Sequence, residues 1–146
     1  MMISVSPLHA VLLVSAVANS GIVMAPWLVD HISDESGHII YKSKPSVLAS
    51  PISRGTAEDM RVLMRDTIRY GTCKKSFQKV RRKKAFKDVD LGAKTGTIND
   101  KMDRYKYDWL AAYALRKNSS KAMCIVVLSI RASDLGRYII NYYITS

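Results

Sequence analysis

Six consecutive residues, Met123-Cys124-Ile125-Val126-Val127-Leu128, are all apolar. Rich in β-branched side chains and preceded by a polar turn, the run reads as the body of a strand over residues 123–130. Successive side chains of a strand point to opposite faces, so an unbroken apolar run has to be covered on both. Asp108 to Leu115 reads as the strand before it, joined by a polar turn over residues 117–121. Residues 91–100, LGAKTGTIND, read as an apolar strand that opens into a polar loop. Within it Lys94, Thr95, Gly96 and Thr97 set a cation, two hydroxyls and a glycine at the opening, suited to an anionic or carbonyl-bearing ligand.

The upstream half predicts helices and a hairpin. Ser6 is a candidate N-cap with Pro7 at the first helical position, and the run to Asn19 is apolar on nearly every face, so a helix buried all round is expected. Asn19-Ser20-Gly21 ends it, with glycine available for the left-handed position. Residues 27–33 and 38–42 flank Asp34-Glu35-Ser36-Gly37, a hairpin pattern. Residues 43–55 read as a connector. A second helix is predicted from Thr56, capped by the Thr56/Asp59 pair, with Met60, Leu63, Met64 and Ile68 as its apolar stripe and Arg61, Arg65 and Arg69 facing elsewhere. Gly71 ends it. From Lys74 to Lys87 eight cations stand with no acid, a segment read as a solvated basic loop or short helix. Ser133 is the expected cap of a last helix with Leu135, Tyr138, Ile139 and Tyr142 on one face.

The 146 residues suffice for one core, and the 48% apolar and 24% charged composition is that of a globular chain. A net charge of +11 attracts anionic partners without choosing among nucleic acid, acidic lipid and wall polymer. Cys73 and Cys124 have no zinc-ligand spacing and read as half-buried thiols, and His31 and His38 as ordinary strand histidines, so no metal or cofactor is implied. Residues 8–18 are too short for a membrane span and lack the preceding cations of a signal peptide. With no targeting segment, the stretch is expected to lack an N-terminal part.

Lys94-Thr95 is no P-loop ending, because Ala93 and Asp88 stand where that cradle needs glycines. Lys94-Thr95-Gly96-Thr97 instead resembles the third motif of the penicillin-binding protein and serine β-lactamase superfamily. The residues from Ser6-Pro7-Leu8-His9-Ala10 to Ala18-Asn19-Ser20-Gly21-Ile22-Val23-Met24-Ala25-Pro26 are similar to the helix and turn upstream of that motif in the transpeptidases. Met64-Arg65 and Tyr70-Gly71-Thr72 resemble the next family helix, and Asp108-Trp109 the aromatic position after the motif. The resemblance implies that Lys94 lies beside the nucleophile and sets protonation and local potential. It implies that Thr95 and Thr97 receive the carboxylate of a D-Ala-D-Ala stem peptide or a β-lactam, and that Gly96 admits the ligand backbone. The Thr97 N–H would be an oxyanion donor. Lys94 and Thr97 are thus the candidate catalytic residues, and Lys94 to Thr97 the candidate substrate site.

The family's SxxK and SxN motifs have no usable counterpart. Ser76-Phe77-Gln78-Lys79 fits SxxK by letter but stands inside the basic segment, and Thr97-Ile98-Asn99, the nearest approach to SxN, overlaps the third motif. The expectation is an α+β fold: a partial transpeptidase/β-lactamase-like domain spanning residues 1–146, with an antiparallel sheet of three C-terminal strands flanked by helices. Its role would be a KTG wall for peptidoglycan cross-linking at the cell envelope or periplasmic face of the inner membrane, inactive alone. An open apolar edge on the last strand predicts poor solubility without a complementary fragment. The alternative is a small basic protein binding nucleic acid or an anionic wall polymer through residues 74–87; nucleic acid is not expected under the first reading.

Overall fold

The computed structural model describes residues 5–99, 106–120 and 122–146. Its elements are α1 (Pro7–Ala18), β1 (Val23–Met24), β2 (His31–Ser33), β3 (Ile39–Lys42), β4 (Val47–Ala49), α2 (Arg54–Arg69), α3 (Lys74–Arg81), a 3-10 turn (Lys84–Phe86), β5 (Val89–Asn99), β6 (Lys106–Arg116), β7 (Ala122–Ser129) and α4 (Ala132–Thr145). The fold is α+β, with β5, β6 and β7 forming one antiparallel sheet in that order. Among the described residues no helix is long and apolar enough to cross a membrane.

Alternation along the strands divides the core into two layers. Leu110, Ala112 and Ala114 of β6 pack with Val127, Ile140 and Ile144 toward α4 and α3. Tyr113, between them in sequence, packs with Val14, Val17 and Met64 toward α1 and α2. β7 divides likewise, Met123 and Ile125 joining the first layer and Cys124 and Val126 the second. This is why the run is apolar from Met123 to Val127, whereas Leu128, in neither layer, is exposed and corrects the expected cover on both faces along the whole run.

Several local expectations are corrected. α1 is buried along one face only, through Val14, Ala16 and Val17, while Leu8 and Leu13 are exposed, because α2 and the sheet cover a single side. Its cap is as expected, the Ser6 hydroxyl accepting from the His9 N–H at 3.1 Å. At its C-terminus Ser20 (φ 55°) joins Gly21 (φ 94°) in the left-handed region, and the Gly21 N–H closes on the Ala16 carbonyl at 2.7 Å. A side chain at Gly21 would collide with the Ile52 carbonyl.

The hairpin forms with Ser33 opposite Ile39, and the Asp34 carboxylate accepts from the Ser36 hydroxyl and the His38 N–H. These bonds, that from Ser36 foremost, hold the Asp34 carboxyl below its ordinary range. The connector over residues 43–55 contains β4, which pairs with β1. The cap of α2 is Ser53, accepting from the Thr56 N–H at 3.0 Å, because the helix starts two residues before Thr56. Its buried face is Ala57, Met64 and Ile68, with Met60 and Leu63 exposed.

The basic segment is not merely solvated: α3 and the turn after it bury Phe77, Val80 and Phe86, so its cations ride on a core element. The helix α4 is capped by Arg131 without a side-chain bond, and Ser133 lies within its first turn. Its buried stripe is Ala132, Gly136, Ile140 and Ile144, whereas Leu135, Tyr138 and Tyr142 face outward. The periodicity is helical as read, but the phase is rotated, because a close approach to Leu110 needs the small Gly136 inward. Both cysteines are free, Cys73 fully buried and Cys124 partly so. Asp100 and Lys121, within the predicted loop and turn, lie outside the described residues.

Candidate functional site

The strand β5 passes from core to surface within three residues. Leu91, Gly92 and Ala93 are buried, Thr95 is half-buried, and Lys94, Gly96, Thr97, Ile98 and Asn99 are exposed.

What anchors the buried half is an ion cluster. Arg61 and Arg65, one helical turn apart on α2, both reach Asp90, the Arg65 contact at 3.4 Å and the Arg61 contact shorter. Glu58 joins from one turn earlier, at 3.3 Å from Arg61 and 3.0 Å from Arg65. The Arg61 guanidinium lies 6.0 Å from the centre of the Tyr113 ring, and the Tyr113 hydroxyl donates to the Arg61 carbonyl at 3.3 Å. Burial works against the Arg61 charge, but Asp90 more than offsets it and raises the pKa above its ordinary value. The inward arginines correct their predicted outward placement. They hold α2 to β5 four residues before Lys94, on the same face of the strand.

The four predicted site residues stand together at the exposed end. Thr95 shares a hydroxyl hydrogen bond of 2.7 Å with Thr72, in the turn after α2. Thr97 lies opposite Asp108 on β6, and its hydroxyl donates to the Asp108 carboxylate at 3.1 Å. The Lys94 ammonium donates to the Thr95 carbonyl. Gly96 lies opposite Trp109, whose indole Nε1 is buried without a partner among the described residues. Among the described residues a Cβ at Gly96 would meet only the Trp109 Cβ, at 3.8 Å, an ordinary contact, and the residue is not among those of positive φ. Nothing in the described part of the fold requires glycine there.

Beside this strand end a hollow of about 260 Å³ is lined by Ser76, Asp108, Ile130, Arg131, Ser133 and Asp134. Ser76 therefore lies near the site, but Lys79, its partner in the SxxK lettering, is exposed on α3, and among the described residues no hydrogen bond joins them. Cys73 is the nearby thiol. Burial pushes its pKa up, opposed by hydrogen bonding to Ser133 and Thr72 and by the Lys94 charge, so at neutral pH it is a protonated, enclosed thiol and not a nucleophile. His31 pairs with Asp30 at 3.0 Å and His38 with the Ser36 hydroxyl at 2.9 Å, both in the exposed hairpin remote in sequence from β5.

The sequence does not single out Thr72 or the ion cluster as parts of the site. Thr72 was visible only as part of Tyr70-Gly71-Thr72, and its hydroxyl contact spans 23 positions. Glu58, Arg61 and Arg65 stand at helical spacing along α2, but Asp90, the partner that the two arginines share, lies 29 and 25 positions from them.

The sequence matches the family described as "Penicillin binding protein transpeptidase domain" over residues 3–135. No curated protein matches it. Among solved structures it is similar to penicillin-binding protein A from M. tuberculosis in its imipenem acyl-enzyme complex (21% identity, 100% of this chain, 32% of that chain, TM-score 0.80). It is also similar to the D,D-transpeptidase domain of the peptidoglycan glycosyltransferase from Eggerthella lenta (19% identity, 92% and 31%, TM-score 0.76). A third likeness is penicillin-binding protein 2B from Streptococcus pneumoniae (19% identity, 96% and 24%, TM-score 0.67). The chain thus spans a quarter to a third of the length of these structures, and at such identities the likeness is one of fold.

Proposed function

The chain belongs to the penicillin-binding protein transpeptidase family, and on that premise we propose that the exposed half of β5 is one wall of a serine transpeptidase site. Lys94 supplies the positive potential and helps set the protonation of a serine nucleophile contributed by the rest of the domain. Thr95 and Thr97 receive the carboxylate of a D-Ala-D-Ala stem peptide or of a β-lactam. The Thr97 N–H is one of two oxyanion donors, and a single such donor contributes about 2.7–4 kcal/mol to the transition state. The 146 residues then act as the C-terminal part of one transpeptidase domain, at the cell envelope, in peptidoglycan cross-linking. By itself the chain does not acylate.

The observation that carries this reading is Gly96. The fold leaves room for a side chain there, so the glycine serves something that approaches the strand from outside. The hydroxyl bonds on either side fit the same role. If Thr72 donates to Thr95, the Thr95 proton is left for an incoming carboxylate. Thr97 has to turn its proton away from Asp108 to do likewise, a rotation that costs one exposed hydrogen bond.

Fluorescent penicillin tests the proposal, applied to the chain alone and to the chain joined with the remainder of a transpeptidase domain. Label is expected only in the joined form and is lost with Lys94→Ala. Label on the chain alone would overturn the assignment of the nucleophile to another part. Absence of label in both forms, together with salt-dependent DNA binding, would favour a small basic binding protein instead.

A further inference from the structure

Twenty-three Lys and Arg residues stand against 12 Asp and Glu in this sequence, and folding does not spread them evenly. Around Val89, where β5 begins, four elements bring cations together: Arg69 from the end of α2, Arg81 from the end of α3, Lys87 from the turn before β5, and Arg116 and Lys117 from the end of β6 and the residue after it. They line two adjoining hollows of about 330 and 260 Å³, which share Arg69, Lys87 and Val89. The carboxylate lining them, Asp90, is already paired with Arg61 and Arg65. Among the described residues no carboxylate pairs with Arg69, Arg81, Lys87, Arg116 or Lys117. Asp88 lines a neighbouring hollow with Lys84, Arg116 and Lys117.

Two of these cations are held in place by carbonyl groups. Arg116 donates to the carbonyls of Ile144 at 2.8 Å and Ala85 at 3.2 Å, and Arg81 to that of Ile68 at 3.4 Å. The Lys117 N–H is tied to the Asp88 carbonyl at 2.8 Å. Like charges converging on a concavity repel one another, whereas a solvated face lets them separate. Held guanidinium forks beside free ammonium groups match the oxygens of a phosphate.

We propose that this groove binds a phosphate-bearing small ligand, a terminal phosphate or diphosphate group. Half-open hollows of this size suit an end group, while a polymer backbone calls for an extended stripe. The site lies about 26 Å along β5 from Thr97, so it is separate from the KTGT strand end and stands whether or not the transpeptidase reading does.

Titration calorimetry of the full chain with inorganic diphosphate at low salt tests the groove. The double variant Arg69→Ala/Lys87→Ala, both exposed positions, is expected to bind about tenfold more weakly, with circular dichroism and melting unchanged. A variant of equal charge loss on the hairpin side, Lys42→Ala/Lys44→Ala, is expected to bind like the parent. If the first pair disturbs folding, Lys117→Ala, in the turn after β6, serves in its place. Lack of diphosphate binding by the parent, or equal weakening in both pairs, overturns the site. Sedimentation with phosphatidylglycerol vesicles but not phosphatidylcholine vesicles, released by diphosphate, assigns the phosphate to a lipid headgroup. Diphosphate binding without vesicle binding assigns it to a soluble ligand. Duplex DNA that displaces diphosphate and still binds the Arg69/Lys87 variant overturns the proposal.

Discussion

Gly96 separates folding from function at the scale of one residue. Because its Cβ position is open and its backbone ordinary, Gly96→Ala should leave stability unchanged or raise it by up to about 1 kcal/mol, read by urea denaturation. In the joined domain the same change should slow penicillin acylation roughly tenfold to a hundredfold by displacing the ligand. Gly21 is the opposite case, required by its positive φ and by the Ile52 carbonyl. Two buried protons add a pH dependence. Burial raises the Cys124 thiol from 9.0 to about 11. Burial, helped by the Asp90 charge and opposed by Arg61 and Arg65, raises the Tyr113 hydroxyl from 10.0 to about 12. The folded chain therefore holds each proton after the unfolded chain has released it. The stability due to Cys124 is whole below pH 9.0 and lost as pH rises through about 11, and that due to Tyr113 is whole below pH 10.0 and lost through about 12. Each group steepens the loss by at most about 1.4 kcal/mol per pH unit. Denaturation of Cys124→Ala should accordingly show a shallower decline than the parent between pH 9.0 and about 11, and the same decline above it.

At the scale of elements, α3 is the instructive case. Its sequence, KKSFQKVR, is dominated by charge, but Phe77 is fully buried and Val80 nearly so, against Phe86 and α4. Two apolar residues at helical spacing are enough to dock eight residues. Phe77→Ala should destabilise the chain by about 3–5 kcal/mol, whereas Lys74→Glu/Lys75→Glu on the exposed side should change it by under about 0.5 kcal/mol, both measured by denaturant melts. Equal effects would mean the segment is held by charge and not by packing. The helix α4 makes the complementary point, since Leu135, Tyr138 and Tyr142 keep helical spacing but face out. Periodicity specifies that a helix has two faces; the neighbour specifies which face is inside.

For the whole molecule the surface is the telling quantity. The chain exposes 10,418 Å², whereas a compact protein of 16.4 kDa exposes about 7,500 Å². The excess is on the order of an obligate interface. It includes Leu28 and both strands of the hairpin, an apolar hollow of about 570 Å³ lined by Val11, Leu12, Ile22, Trp27 and Cys124 among others, and β7, which among the described strands pairs only with β6. An unpaired apolar strand edge invites pairing with another chain. The chain alone should self-associate in a concentration-dependent way in sedimentation velocity, and the joined domain should not. A monodisperse, cooperatively melting monomer would count against a domain completed by other residues.

The order of elements was legible along the chain, from the capped first helix through the Asp34–Gly37 hairpin and the three strands to the last helix, but not all their limits: β2 starts at His31 and not at residue 27, β5 stays in the sheet through Asn99 where a loop was expected, and α4 starts before the expected Ser133 cap. So was the KTGT strand end, because its change from apolar to polar is a local event. Such signals survive in sequence because the groups that cause them lie within a few residues of one another. What only the tertiary structure decided involves partners far apart: which face of α2 and α4 turns inward, the Arg61 and Arg65 pairing with Asp90, the Thr72 to Thr95 hydroxyl contact, and the convergence of cations from four elements at Val89. A helix presents several plausible stripes, and a charge several plausible partners. The choice among them is made by what the rest of the fold brings within a few ångströms.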